Sequence, residues 1–154
     1  MDIGSGSGFP SAALSNFAPH PFVIDGVECN SMEGFLQSLK FQNPDVQKEV
    51  CKLVGKAAKF KGKKKNKHWK STQTLYWLGK AYKRDSKEYQ ELLDRAFDAL
   101  SENSGFRNVL IASGNATLTH SIGERKQSNT VLTVSEFTSR LHKIRSRLLL
   151  EKGA

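Results

Sequence analysis

Cysteine is nearly missing from this chain. Its two thiols, Cys29 and Cys51, have neither metal-ligand spacing nor a framework pattern. That excludes a disulfide-stapled or zinc-knuckle domain and leaves reduced core thiols. No apolar run approaches membrane-spanning length and no secretory leader is visible, so a cytoplasmic protein without a membrane partner is expected. Acidic residues are also in deficit: 15 Asp and Glu face 24 Lys and Arg, for a formal net charge of +9. Such an excess predicts attraction to phosphates, in a nucleotide, a nucleic acid or both. What is present suffices for one domain: 154 residues, 38% of them hydrophobic, with nine Phe and no internal repeat.

Residues 1–13 are Gly/Ser-rich and read as a flexible lead to a domain over residues 14–150. Gly4 to Gly8 could alternatively bring bare amides to a phosphate. Leu14-Ser15-Asn16-Phe17 then leads into two apolar, β-prone runs, Phe22-Val23-Ile24 and Val27-Glu28-Cys29. Asp25-Gly26 between them is a tight hairpin signal.

The stretch Asn30 to Phe41 follows, and it organises the rest. At helical period Glu33, Gln37 and Lys40 share one face, while Met32, Phe35, Leu36 and Leu39 share the other. A carboxylate, an amide and an ammonium are thereby aimed in one direction. A plainer role is open as well: Asn30-x-x-Glu33 is a capping-box pattern, in which Glu33 would only close the first turn. Asn43 caps a second helix with Pro44 at its first position, and Gly55 is expected to end it.

Lys56, Lys59, Lys61, Lys63, Lys64, Lys65, Lys67 and Lys70 crowd the next segment. Gly62 and this density of like charge predict a loop that grips an anion or remains solvated. Trp69 closes the run, either as a stacking platform or as a core anchor. A helix is expected from Ser71 to about Arg84, with Leu75, Leu78 and Tyr82 inward. Asp85-x-x-Glu88 opens another that buries Tyr89, Leu92, Leu93, Ala96, Phe97 and Leu100. A further helix spans Phe106 to Ala112, a short strand Thr117 to Ser121, and a polar loop Gly123 to Asn129. Thr133-x-x-Glu136 starts the last helix, whose stripe is Val134, Phe137, Leu141, Ile144 and Leu148. The fold class is α+β: a mostly helical domain whose small sheet joins the early hairpin to the Thr117 strand.

This order of motifs resembles the YbiA-like family, also called NADAR for NAD- and ADP-ribose-associated. The resemblance rests on Leu14-Ser15-Asn16-Phe17, the Asp25-Gly26 hairpin and Ser31-x-Glu33-x-x-x-Gln37-x-x-Lys40-Phe41. It continues through Gly62, Trp69, Phe97, Leu110 to Gly114, Leu141 and Arg145, covering about residues 14–148. It implies an N-glycosidase that hydrolyses the bond between a ribose anomeric carbon and an exocyclic amine. Substrates would be ADP-ribosylated guanine, free or carried on nucleic acid, or a related ribosylamino nucleotide, with no cofactor and no metal. Carried onto this chain, Glu33 and Lys40 are the candidate catalytic pair. Ser15, Asn16, Phe17, Gln37, Trp69, Lys63 and Asn129 are candidate substrate contacts. Three features depart from the family pattern. Gly34 stands where a His is usual, Thr119-His120 replaces an acidic residue, and residues 123–129 replace a Trp-Gly-rich loop. These departures suit a divergent, phage-borne branch in which Glu124 or Asn129 stands in.

Chemically, cleavage of a ribosylamine builds positive charge at the anomeric carbon, which a carboxylate such as Glu33 would stabilise while activating water. The leaving amine needs a proton, which Lys40 could supply, or Lys40 could attack the ring-opened sugar as a Schiff-base nucleophile. Two other readings stand beside this one: a sequestering module that keeps the pocket and binds ADP-ribose or a nucleotide without chemistry, and a nucleic-acid binder that uses the basic segment.

Overall fold

The computed structural model describes residues 1–153. Eight α-helices and two antiparallel ribbons form a mixed α+β domain. A short α1 (Ser11–Leu14) precedes the ribbon of β1 (Phe22–Ile24) and β2 (Val27–Cys29). Asp25 and Gly26 both take positive φ, 50° and 78°, as a two-residue hairpin turn of the primed type requires. Helix α2 (Met32–Ser38) follows at once, then α3 (Pro44–Cys51), α4 (Gly55–Lys63) and α5 (Asn66–Thr72). A second ribbon, β3 (Thr74–Trp77) and β4 (Lys80–Lys83), leads to α6 (Lys87–Leu100), α7 (Ser104–Ala112) and the long α8 (Val134–Gly153).

Three expectations need correction. The segment from Ser71 to Arg84 is a hairpin, not a helix. Leu75 and Trp77 alternate inward, and Leu78 and Gly79, at φ 48° and 88°, make the turn. Leu75, Leu78 and Tyr82 also fit helical spacing, which is why the pattern misled; alternation with β-prone Thr74, Tyr76 and Trp77 prevails. Gln47, fully buried on α3, receives the Leu78 amide and donates to the carbonyls of Phe41 and Tyr76, which ties this hairpin to the helices. The lysine-rich segment, in turn, is helical rather than a loop. Ala58, Gly62 and Trp69 point inward while the lysines radiate outward, so repulsion is relieved by solvent. Gly55 belongs to the start of α4, at φ 54°, rather than to the end of α3.

The third correction concerns the opening segment and the Thr117 strand. That strand reduces to one parallel bridge between Asp2 and Thr119, and it joins neither ribbon. Ile3 is only 1% exposed and its amide donates to Thr119 at 2.7 Å, so the segment expected as a free lead is tied into the domain. Helix α6 buries the whole stripe its spacing foretold and α8 all of its stripe but the half-buried Val134, and each large side chain of such a stripe is worth about 1.5–3 kcal/mol when fully buried. The Thr133–Glu136 capping box forms in both directions, at 2.8 and 3.1 Å.

Candidate active site

Helix α2 is held at both ends by neighbours. Ser31, not Asn30, is its N-cap: Ser31 Oγ accepts from the Gly34 amide and donates to Leu53 O, each at 3.0 Å. Asn30 instead caps α3 from outside, its amide and side chain donating to Cys51 O and Lys52 O. Glu33 is therefore released from capping duty. Its own amide donates to Asn16 O at 3.0 Å, which draws Asn16 against the first turn. At the other end, Tyr76 N–H donates to Leu39 O at 2.8 Å and fixes the turn that carries Lys40.

Glycines let the surrounding helices close on this one. A Cβ on Gly34 would lie 2.5 Å from Leu53 O and 2.9 Å from Cys51 O, both backbone, so the His usual in the YbiA-like pattern cannot fit against α3 here. A Cβ on Gly62 would lie 1.8 Å from Gln37 Oε1, so α4 packs directly onto the Gln37 amide.

The polar face of α2 forms one wall of a cavity of about 630 Å³. Sites for small molecules and cofactors usually run from roughly 300 to 1,000 Å³. Every residue nominated from the sequence lines this cavity: Glu33 and Lys40, and Ser15, Asn16, Phe17, Gln37, Lys63, Trp69 and Asn129. Glu33 accepts a hydrogen bond from Gln37 Nε2 at 2.7 Å. Burial pushes its carboxyl above the usual range, although Gln37 and the cations Lys40 and Lys59 pull the other way. Lys40 is 7% exposed, and its Nζ donates to Asn66 Oδ1 at 2.6 Å, not to Glu33. Loss of water lowers its pKa to about 8, with Glu33 opposing and Lys70 and Lys59 adding to the fall. Two buried polar atoms in this lining, Gln37 Oε1 and Trp69 Nε1, have no hydrogen-bond partner among the described residues. The Gln37 oxygen is turned toward Gly62, which leaves the indole N–H as a donor without a protein acceptor. Trp69 is thus both a core side chain, 1% exposed, and part of the cavity wall.

Among the lining residues that were not nominated, Asn66, Lys59 and His120 bear most on the site. Asn66 and Lys59 lay within the lysine run, read as a loop. Lys59 and Gly62 are nonetheless spaced three apart, as on one face of α4, while Asn66 opens α5 after a two-residue turn. His120, which the sequence places only within the short Thr117–Ser121 strand, is held by Ile3 O at 2.7 Å from Nδ1 and meets the Phe137 ring edge-on at 5.4 Å. The opposite wall is the segment before α8, and buried groups pin it from behind. Arg84, 1% exposed, donates to Thr130 O at 2.7 Å and forms a two-point ion pair with Glu136. Tyr89 donates to Val131 O at 2.6 Å, and Gln73 to Ser128 O at 2.9 Å. Of the two stand-ins considered, Asn129 and Glu124 both line the cavity, but Glu124 Oε1 is already taken by the amides of Arg125 and Lys126. Arg145 lies elsewhere, bonding Ser113 Oγ at 2.9 Å to lock α8 onto α7.

Comparison with known proteins agrees with this architecture. The family described as Bacteriophage protein GP30.3 matches residues 8–146. A protein of Enterobacteria phage T4, described as an uncharacterized 17.1 kDa protein in the Gp30-rIII intergenic region, is 39% identical over 150 residues, covering 96% of this chain and 98% of its own. Among solved structures, the E. coli protein YbiA superposes with a TM-score of 0.63 at 17% identity, over 99% of this chain and 86% of YbiA. By sequence the chain belongs to the bacteriophage GP30.3 family, and its fold is that of YbiA.

Proposed function

We propose that this protein is an N-glycosidase that hydrolyses the bond between ribose C1′ and an amine nitrogen in an ADP-ribose-type adduct, such as ADP-ribosylated guanine. The observation that carries this reading is the convergence of Glu33 and Lys40, a carboxylate and an amine of opposed pKa displacement, on one cavity of nucleotide size. In the reaction the C1′–N bond breaks, water adds its hydroxyl to C1′, and the leaving nitrogen takes up a proton. Glu33 as carboxylate stabilises the developing charge at C1′ and accepts a proton from the attacking water. Lys40 as ammonium donates to the departing nitrogen. Asn16 is suited to ribose hydroxyls and Lys63 with Lys59 to the pyrophosphate, while Gln37 holds Glu33 and Trp69, 1% exposed, bounds the cavity.

The test is direct. Incubated with ADP-ribosylated guanosine, or with DNA carrying the adduct, the protein should release free ADP-ribose, detected by chromatography. Glu33→Gln and Lys40→Ala should each reduce release by about a hundredfold or more, the usual scale for acid–base groups. Unchanged release from both variants overturns the assignment. Tight binding of ADP-ribose with no product after long incubation would instead favour a sequestering module built on the same cavity.

A further inference from the structure

Lys40 Nζ is anchored by an amide, and the choice of an amide has chemical content. Asn66 Oδ1, at the start of α5, accepts at 2.6 Å from Nζ of Lys40, on the turn after α2, and both residues line the cavity. The other charged or titratable groups around Lys40 are known. Glu33 comes from α2, the helix just before it, Lys59 and Lys63 come from α4, Lys70 comes from α5, and His120 and Glu124 come from the segment beyond α7. Glu124 Oε1 is engaged by its own turn, and Glu33 accepts from Gln37. An ammonium has three hydrogens, and Asn66 takes one, leaving the rest for a ligand.

We propose that Asn66 is a positioning residue for Lys40: a neutral acceptor that aims Nζ into the cavity while leaving its proton free to move, where a carboxylate in the same place would hold it fixed. An amide oxygen favours the protonated form through one hydrogen bond only. An aspartate there would add a full negative charge at contact distance and keep the amine protonated. Burial and the cations Lys59 and Lys70 act in the opposite sense, and they bring Lys40 to about 8. The lysine-rich pair α4–α5 thus serves proton transfer as well as anion attraction. This role rests on the reading of Lys40 as the group that delivers the proton.

Competitive labelling with acetic anhydride across neutral to alkaline pH, read at Lys40 by peptide mass spectrometry, measures the amine's ionisation without any substrate. The midpoint should rise in the order Asn66→Ala, wild type, Asn66→Asp. At pH 7 labelling of Lys40 should be about threefold faster in the first variant and about tenfold slower in the second. Merely loosening the structure exposes the amine and raises the midpoint in both variants, so the fall for Asn66→Ala separates positioning from scaffolding. Near-ultraviolet circular dichroism checks that each variant is folded; if Asn66→Asp is not, Asn66→Ala decides alone. A wild-type midpoint in either folded variant, or a rise in both, overturns the proposal. The ordered series without ADP-ribose release would sink the glycosidase reading and leave Asn66 only as the group that sets the ionisation of Lys40; release with unordered midpoints would do the reverse.

Discussion

Glu33 and Lys40 are displaced in opposite directions by one cause. Each loses water at the cavity wall, which raises a carboxyl and lowers an amine. The consequence for catalysis has a definite sign. If Lys40 delivers a proton, turnover of ADP-ribosylated guanosine falls as pH passes about 8, because the ammonium is lost there. Turnover that rises through the same point would mark Lys40 as a free-amine nucleophile. The acid limb should lie above the ordinary carboxylate range, since Glu33 must ionise first. Stability carries the matching sign. The folded pKa of Lys40 is below its unfolded value, so this group opposes folding at neutral pH and ceases to do so as pH rises from about 8 toward 10.5. Lys40→Met should therefore raise the unfolding free energy at pH 7, by roughly 1–3 kcal/mol, measured in urea. A site residue that costs stability is expected where chemistry requires a desolvated charge.

Among the elements, the glycine contacts and the buried ion pair matter most. Gly62→Ala would force a methyl group into the Gln37 amide, 1.8 Å away, so Gln37 must swing from Glu33. The expected result is a loss of about 1–3 kcal/mol in unfolding free energy together with a raised KM. The Arg84–Glu136 pair holds the cavity's far wall. Burial alone would raise Glu136, but Arg84, the Thr133 amide and Gln90 outweigh it and hold the carboxyl below its usual range. Its contribution is fully present above pH 4.5 and is lost as pH falls through the lowered value. Glu136→Ala, which strands Arg84, should cost about 3–5 kcal/mol at neutral pH and flatten the acid limb of the stability profile. Much of this frame was legible beforehand: the Asp25-Gly26 hairpin, the Asn43-Pro44 start, the polar face of α2 and the Thr133–Glu136 box all rest on local rules. What was not legible depended on tertiary context. Lys56 to Lys70 is helical because Ala58, Gly62 and Trp69 find a surface to pack on, and Thr74 to Lys83 is a ribbon because Gln47 receives its turn. Asn66 and His120 acquire meaning only through Lys40 and Ile3, each far off in sequence.

For the molecule as a whole, the cavity is where separate parts of the chain meet. The N-terminal segment steadies the loop with His120, α2 and the turn after it supply the acid and the amine, and α4–α5 supply cations. The segment before α8 closes the far side, braced by α6 and the second ribbon. The net charge of +9 surrounds this opening with a field that draws in phosphates. Trp69 forms part of the cavity wall, with an indole N–H that has no acceptor among the described residues. The other tryptophan, Trp77, is committed to Asp25 at 2.8 Å and lies outside the cavity lining. One indole therefore senses occupancy and the other does not. In a Trp77→Phe background, titration with ADP-ribose should quench or shift the emission of Trp69, whereas in Trp69→Phe the remaining signal should stay flat. The protein thus carries its own optical reporter, one that reads binding in a Glu33→Gln variant where no turnover is left to measure.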